Sequence, residues 1–154
     1  NTALSDIIPI RQRGRVMQRM FKNFSFADVS VMDKTIMIVD WHHGIRSMIS
    51  YTLALEHYGV VTAGSVAEAI EMIEAGLKPD LIIAEFDMES GPTGAELAKS
   101  IRSNPETFDM PFIIMASEYR LKREDEWKKA GATGCIVKPF TVNELLDSIR
   151  RATT

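Results

Sequence analysis

A single cysteine, Cys135, in 154 residues rules out an internal disulfide and fits a reducing compartment. It lies in an apolar run between Gly134 and Ile136, where a small buried hydrophobe is expected rather than a reactive thiol. Nowhere does the chain approach the ~18–20 consecutive apolar residues that a spanning helix needs. Its arginine-rich start is not followed by the apolar core of a signal peptide. The expectation is a cytoplasmic protein without a membrane span. What is present, 45% hydrophobic and 25% charged residues, suits a soluble domain with one proper core.

The net charge of −3 conceals an asymmetry. Residues 1–27 carry Arg11, Arg13, Arg15, Arg19 and Lys22 against Asp6 alone, a balance of +4 that leaves −7 for residues 28–154. Two segments follow: residues 1–33, a basic amphipathic extension with a linker over Asn23–Asp33, and residues 34–154, the regular domain. In the extension, Val16, Met17, Met20, Phe21 and Phe24 share one helical face. Such a helix is expected to pack on the domain or on a second copy. Attachment to a membrane is disfavoured by an apolar face of only about two turns. The four arginines form a candidate anion-binding arm, because guanidinium binds phosphate bidentately. With an acidic domain behind it, nucleic-acid binding is not expected beyond that arm.

From Thr35 the pattern alternates. Strands are predicted at Ile36–Val39, Val60–Ala63, Leu81–Ala84, Phe112–Met115 and Cys135–Val137. Between them run helices on the Ile45, Met48, Ile49, Leu53 spacing closed by Gly59, from Ser65 to about Ala75, from Thr93 to about Arg102, and from about Arg120 to Lys129. A last helix carries Val142, Leu145, Leu146 and Ile149. The fourth is highly charged, with Leu121, Trp127 and Ala130 as its inward residues. Ser65/Glu68, Thr93/Glu96 and Thr141/Glu144 have the spacing of capping boxes. Five strands alternating with five helices imply an α/β fold: a flavodoxin-like, doubly wound parallel sheet of order 2-1-3-4-5, with an N-terminal basic extension.

Ligands in such sheets sit outside the carboxyl ends of the strands. In this order the ends of strands one, three and five are neighbours, so Asp40, Glu85 and Lys138 should converge. Two carboxylates and an ammonium outline either a metal- or phosphoryl-handling site or a buried charge triad that closes the sheet. Asp87 adds a third acid to the loop. His42 and His43, beside Asp40, Glu85 and Asp87, make a transition-metal site conceivable, against the simpler reading of two solvated histidines. No Ser/His/Asp or Cys/His set reaches this crevice, so the chain is not expected to be an enzyme of the hydrolase type. A nucleotide-binding enzyme of flavodoxin type is excluded by the loop Asp40-Trp41-His42-His43, which is bulky and acidic where a phosphate loop needs small residues and free amides.

Over about residues 34–152 the sequence resembles the receiver domain of bacterial two-component response regulators. The resemblance rests on Ile38-Val39-Asp40 with Arg46, the Pro79-Asp80-Leu81-Ile82-Ile83 run, and Gly94. It extends through Met110-Pro111 and Gly131-Ala132-Thr133-Gly134 to Val137-Lys138-Pro139-Phe140. It implies a site in which a histidine kinase donates a phosphoryl group to an acid at the end of strand three. Two acids after strand one help hold Mg²⁺ there. A Thr or Ser after strand four and a Lys after strand five bind the phosphoryl oxygens, and an aromatic near strand five reports the switch.

This sequence departs from that pattern at several positions. Glu85 stands at the phosphoacceptor position, one methylene longer than Asp, and in-line transfer tolerates little misplacement. Trp41 replaces the second acid after strand one, leaving Asp40 with Glu85 as the carboxylates for a weakened Mg²⁺ site. Ala116 replaces the hydroxyl, with Ser117 expected to face away, and Cys135 replaces the switch aromatic. The loop from Glu85 to Gly94 is one residue longer than usual, with Glu89 where the family has Pro. Asp40 and Lys138 keep their types.

The expectation is a pseudo-receiver with a degenerate site and no required cofactor, its Glu85 paired with Lys138. It would signal through protein contacts with partners of a bacterial pathway, a histidine kinase among them. The same resemblance makes a homodimer conceivable, through the face of helix four, strand five and helix five, where Tyr119, Lys122 and Trp127 fall, or through the N-terminal helix. Two alternatives stay open: a weakly active Mg²⁺-dependent phosphoreceiver using Glu85 or Asp87, and a nucleotide second-messenger binder using Arg11, Arg13, Arg15 and Arg19.

Overall fold

The computed structural model describes residues 34–121 and 124–154. The predicted N-terminal helix, its arginines and Lys122 lie outside them. Five strands form one parallel sheet of order β2-β1-β3-β4-β5: β1 Thr35–Val39, β2 Gly59–Ala63, β3 Leu81–Glu85, β4 Phe112–Ser117 and β5 Gly134–Lys138. Connecting them are α1 His43–Leu55, α2 Val66–Glu74, α3 Gly94–Ser103, the short α4 Glu118–Leu121 and α5 Glu124–Lys129, and finally α6 Val142–Thr153. Helix is described on both sides of residues 122–123, from Glu118, two residues before the expected start, to Lys129 as expected.

The strands read as unbroken apolar runs because both faces are covered. Met37, Val39, Ile82, Ala84, Phe112 and Ile114 face one side, where α2 and α3 contribute Val66, Ala69, Met72, Leu97 and Ile101. Ile36, Ile38, Leu81, Ile83, Ile113 and Met115 face the other and meet Ile49 and Leu53 of α1 and Leu145, Leu146 and Ile149 of α6. On the first side Ala130 is buried and Trp127 packs against the cluster. The indole N–H of Trp127 is buried and has no acceptor among the described residues.

Helix ends refine the expectations. Gly59 does not close α1. The helix stops at Leu55, and His57 takes the left-handed conformation at φ 66°. His57 N donates to Ala54 O at 3.1 Å and Tyr58 N to Leu53 O at 3.1 Å, which is the Schellman arrangement with histidine where glycine is usual. Gly59 is thereby free to open β2, its N–H donating to Lys34 O at 2.8 Å. The same motif ends α2 with Gly76, at φ 106°, in the left-handed place. Of the three capping boxes, Thr93/Glu96 has both reciprocal bonds. At α2, Ser65 Oγ caps Glu68 N, but the Glu68 carboxylate accepts from Gly64 N instead of Ser65 N. At α6, Thr141 Oγ accepts from Glu144 N at 3.1 Å.

Candidate functional site

β1, β3 and β5 deliver Asp40, Glu85 and Lys138 to one point at the carboxyl edge of the sheet. Period-two alternation makes Glu85 continue the row of Leu81 and Ile83, and Lys138 the row of Ile136. Both rows face the α1 and α6 side. Glu85 is itself the last residue of β3, its backbone in register with Met115. Asp40 follows β1 directly and is wholly buried.

The Lys138 ammonium is ion-paired with Glu85 Oε2 and lies 3.4 Å from Asp40 Oδ2. The second oxygen of each acid is also held. Asp40 Oδ1 accepts from His42 N at 2.8 Å, and Glu85 Oε1 accepts from Asp87 N at 3.1 Å. The Lys138 side chain is 25% exposed, against 7% for Glu85 and 1% for Asp40, so the ammonium is the outermost member of the triad. Burial, the largest effect, pushes the Glu85 carboxyl above its ordinary value. Its bond to Lys138, the ammonium's charge and the Asp87 amide pull it back without cancelling that rise, and the Asp40 charge adds to it.

The walls are tight. Gly94, the first residue of α3, donates its N–H to Phe86 O at 3.1 Å, and a Cβ there would collide with the backbone carbonyl of Glu85. The Lys138–Pro139 peptide bond is cis.

Of the other predicted residues, His42 and Asp87 reach the triad through their backbone amides. Trp41 is exposed and stands edge-on to His42, ring centroids 5.5 Å apart. His42 is the N-cap of α1, its Nδ1 accepting from Ile45 N at 3.3 Å. That role was hidden in the sequence, because N-caps are usually Ser, Thr, Asp or Asn. The His43 ring lies 3.5 Å from Arg46 Nη2, and Arg46 Nη1 donates to Asp40 O. Among the described residues no three His, Cys, Asp or Glu side chains gather as a metal site, so the histidine-centred cluster does not form. Asp87 reaches Glu85 through its backbone amide.

Ala116 is buried in the core on the α2 and α3 side. Ser117 alternates with it, is exposed, and stands in register with Lys138. The expectation that Ser117 faces away took Ala116 to face the triad; Ala116 lies on the opposite side of the sheet, so Ser117 takes the row of Lys138. Cys135 is half-buried rather than buried, because β5 is an edge strand. Its thiol packs against the core and borders a shallow surface groove with Thr133 and Ser148.

An open parallel sheet of this order, with two acids and a lysine at the strand ends, defines the class as a flavodoxin-like α/β domain with a charged crevice at its switch point. The model of the response regulator receiver domain matches residues 36–150, and the chain belongs to that family. It is 32% identical over 120 residues to the phosphate regulon transcriptional regulatory protein PhoB of Pseudomonas aeruginosa, covering 78% of this chain and 52% of that protein. The chain therefore spans about half of that relative's length. It is 27% identical over 121 residues to sporulation initiation phosphotransferase F of Bacillus subtilis, covering 79% of this chain and 94% of that one. Among solved structures, the chemotaxis response regulator CheY4 of Vibrio cholerae superposes with a TM-score of 0.72 at 32% identity, covering 77% of this chain and 98% of that one.

Proposed function

We propose that this receiver acts in two-component signalling through protein contacts, without conventional aspartyl phosphorylation. The observation that carries the reading is the Lys138 ammonium paired with Glu85 at the phosphoacceptor position. A phosphoryl group bound there would need that lysine as its own counter-charge. Here the longer carboxylate already occupies it, and Asp40 lies on its other side.

A hard divalent cation needs several oxygen ligands. This chain offers Asp40 and Glu85, both turned to Lys138, with Trp41 in place of a further acid. That donor set does not fit Mg²⁺, and the function we propose requires no cofactor. Ala116 supplies no hydroxyl to phosphoryl oxygens, and Ser117, though on the row of Lys138, sits at the exposed end of the strand.

Partners in this reading are proteins of a bacterial signalling pathway, a histidine kinase among them, in the cytoplasm. Among the described residues no helix is long and apolar enough to cross a membrane. Exposed Tyr119 on α4 and Val142 at the start of α6 support the face around β5 as the output surface, for a partner or a second copy. The test is a titration with Mg²⁺ and beryllofluoride followed by amide resonances of Asp40, Glu85 and Lys138. The expected result is no saturable shift. A stoichiometric, Mg²⁺-dependent shift at all three would instead establish a working phosphoreceiver.

A further inference from the structure

α1 buries Ile49 and Leu53 against the sheet, yet it carries a second apolar stripe on its outer side. Met48, Tyr51 and Leu55, spaced three and four residues apart, are 56%, 69% and 61% exposed. That spacing puts them on one face of the helix. Solvent-side positions of a surface helix are ordinarily polar, so three large apolar side chains in a row mark a surface made to be covered.

We propose that the stripe is the docking site of the chain's own N-terminal segment, through Met17, Met20, Phe21 and Phe24. The attachment point favours this occupant. The segment enters the described domain at Lys34, whose carbonyl accepts from Gly59 N at 2.8 Å and whose Nζ donates to the Thr153 carbonyl at 3.2 Å. Gly59 is four residues beyond Leu55, so Lys34 sits at the foot of α1.

The ten residues from Phe24 to Lys34 can reach ~33 Å when extended. α1, with 13 residues, is only ~20 Å long. The tether can therefore lay residues 16–24 anywhere along the stripe. The apolar residues of the segment repeat on the same three- and four-residue spacing as Met48, Tyr51 and Leu55, so two short ridges of equal length can pack side by side. Its balance of +4 against −7 for the rest of the chain adds a general attraction.

Patch size decides between this occupant and a second copy. A stable interface between separate molecules takes about 20–30 residues a side, and three side chains fall far short. A tethered segment works at an effective concentration on the order of millimolar, so a small patch suffices. The inference does not rest on the phosphorylation state of Glu85.

The test is oxidation of Met48 by dilute hydrogen peroxide, followed by peptide mass mapping of the full chain. In the native chain Met48 should oxidise at least about threefold more slowly than in the double variant Phe21→Asp, Phe24→Asp, at a rate unchanged on dilution. The reciprocal variant Tyr51→Asp should speed tryptic cleavage at Arg19 and Lys22 by a similar factor. Equal Met48 rates in the two chains overturn the proposal. So does protection that fades on dilution, which would make a second copy the occupant.

Discussion

Glu85 is longer by one methylene than the acid its position implies, and that length lets it meet Lys138 while its second oxygen accepts from Asp87 N. Glu85→Ala removes that acceptor and leaves a gap under the ammonium. It should cost about 1–3 kcal/mol in denaturant melts. Glu85→Gln keeps the shape and should cost less. The pH dependence has a definite sign. Because the folded-state pKa of Glu85 is raised above its ordinary 4.5, its contribution to stability is full below that value and is lost as pH rises through the folded pKa. Glu85→Gln should erase that loss, so the stability difference between native and variant chains should shift towards the variant above pH 4.5. A pH-independent difference would count against a buried, desolvated carboxyl. A second residue stores strain in its backbone: His57 holds a left-handed conformation that costs a non-glycine residue roughly 1 kcal/mol. His57→Gly should raise stability by about 0.5–1 kcal/mol.

At the scale of elements, one side chain ties two connections together. Arg102, in the last turn of α3, donates from Nε to Gly131 O at 2.8 Å and from Nη1 to Phe108 O at 2.8 Å and Met110 O at 2.7 Å. Gly131, at φ 91°, is where this packing is tightest, since a Cβ there would strike the Arg102 side chain. Thr133 completes the junction by accepting from Phe112 N at 3.0 Å. The guanidinium thus fixes the entry to β4 and the turn before β5, and so the height at which Lys138 emerges. Arg102→Ala should destabilise the domain by about 2–3 kcal/mol, and Arg102→Lys should recover less than half of that because one ammonium cannot span three carbonyls. A melt of Arg102→Ala within 0.5 kcal/mol of the native chain would show that the clamp carries little.

At the scale of the whole molecule, the sheet order and the meeting of Asp40, Glu85 and Lys138 were legible in the sequence. Unbroken apolar runs ending in charge identify buried parallel strands whatever their neighbours. What stayed hidden depended on tertiary partners. The Arg102 clamp joins residues up to 31 positions apart, His42 caps a helix that its type does not advertise, and His57 takes a place where glycine is usual. Ser117 was expected to face away because it alternates with Ala116; the alternation holds, but Ala116 is the residue turned to the α2 and α3 side, which leaves Ser117 on the row of Lys138.

Whether this pocket accepts a phosphoryl group decides how the whole molecule signals. Intact mass after incubation with acetyl phosphate and Mg²⁺ tests it most directly. The chain should show no gain of a phosphoryl group, and Glu85→Gln should leave the spectrum as unchanged as it is for the native protein. A phosphoryl adduct on the native chain that disappears in Glu85→Gln or in Asp87→Asn would contradict the account.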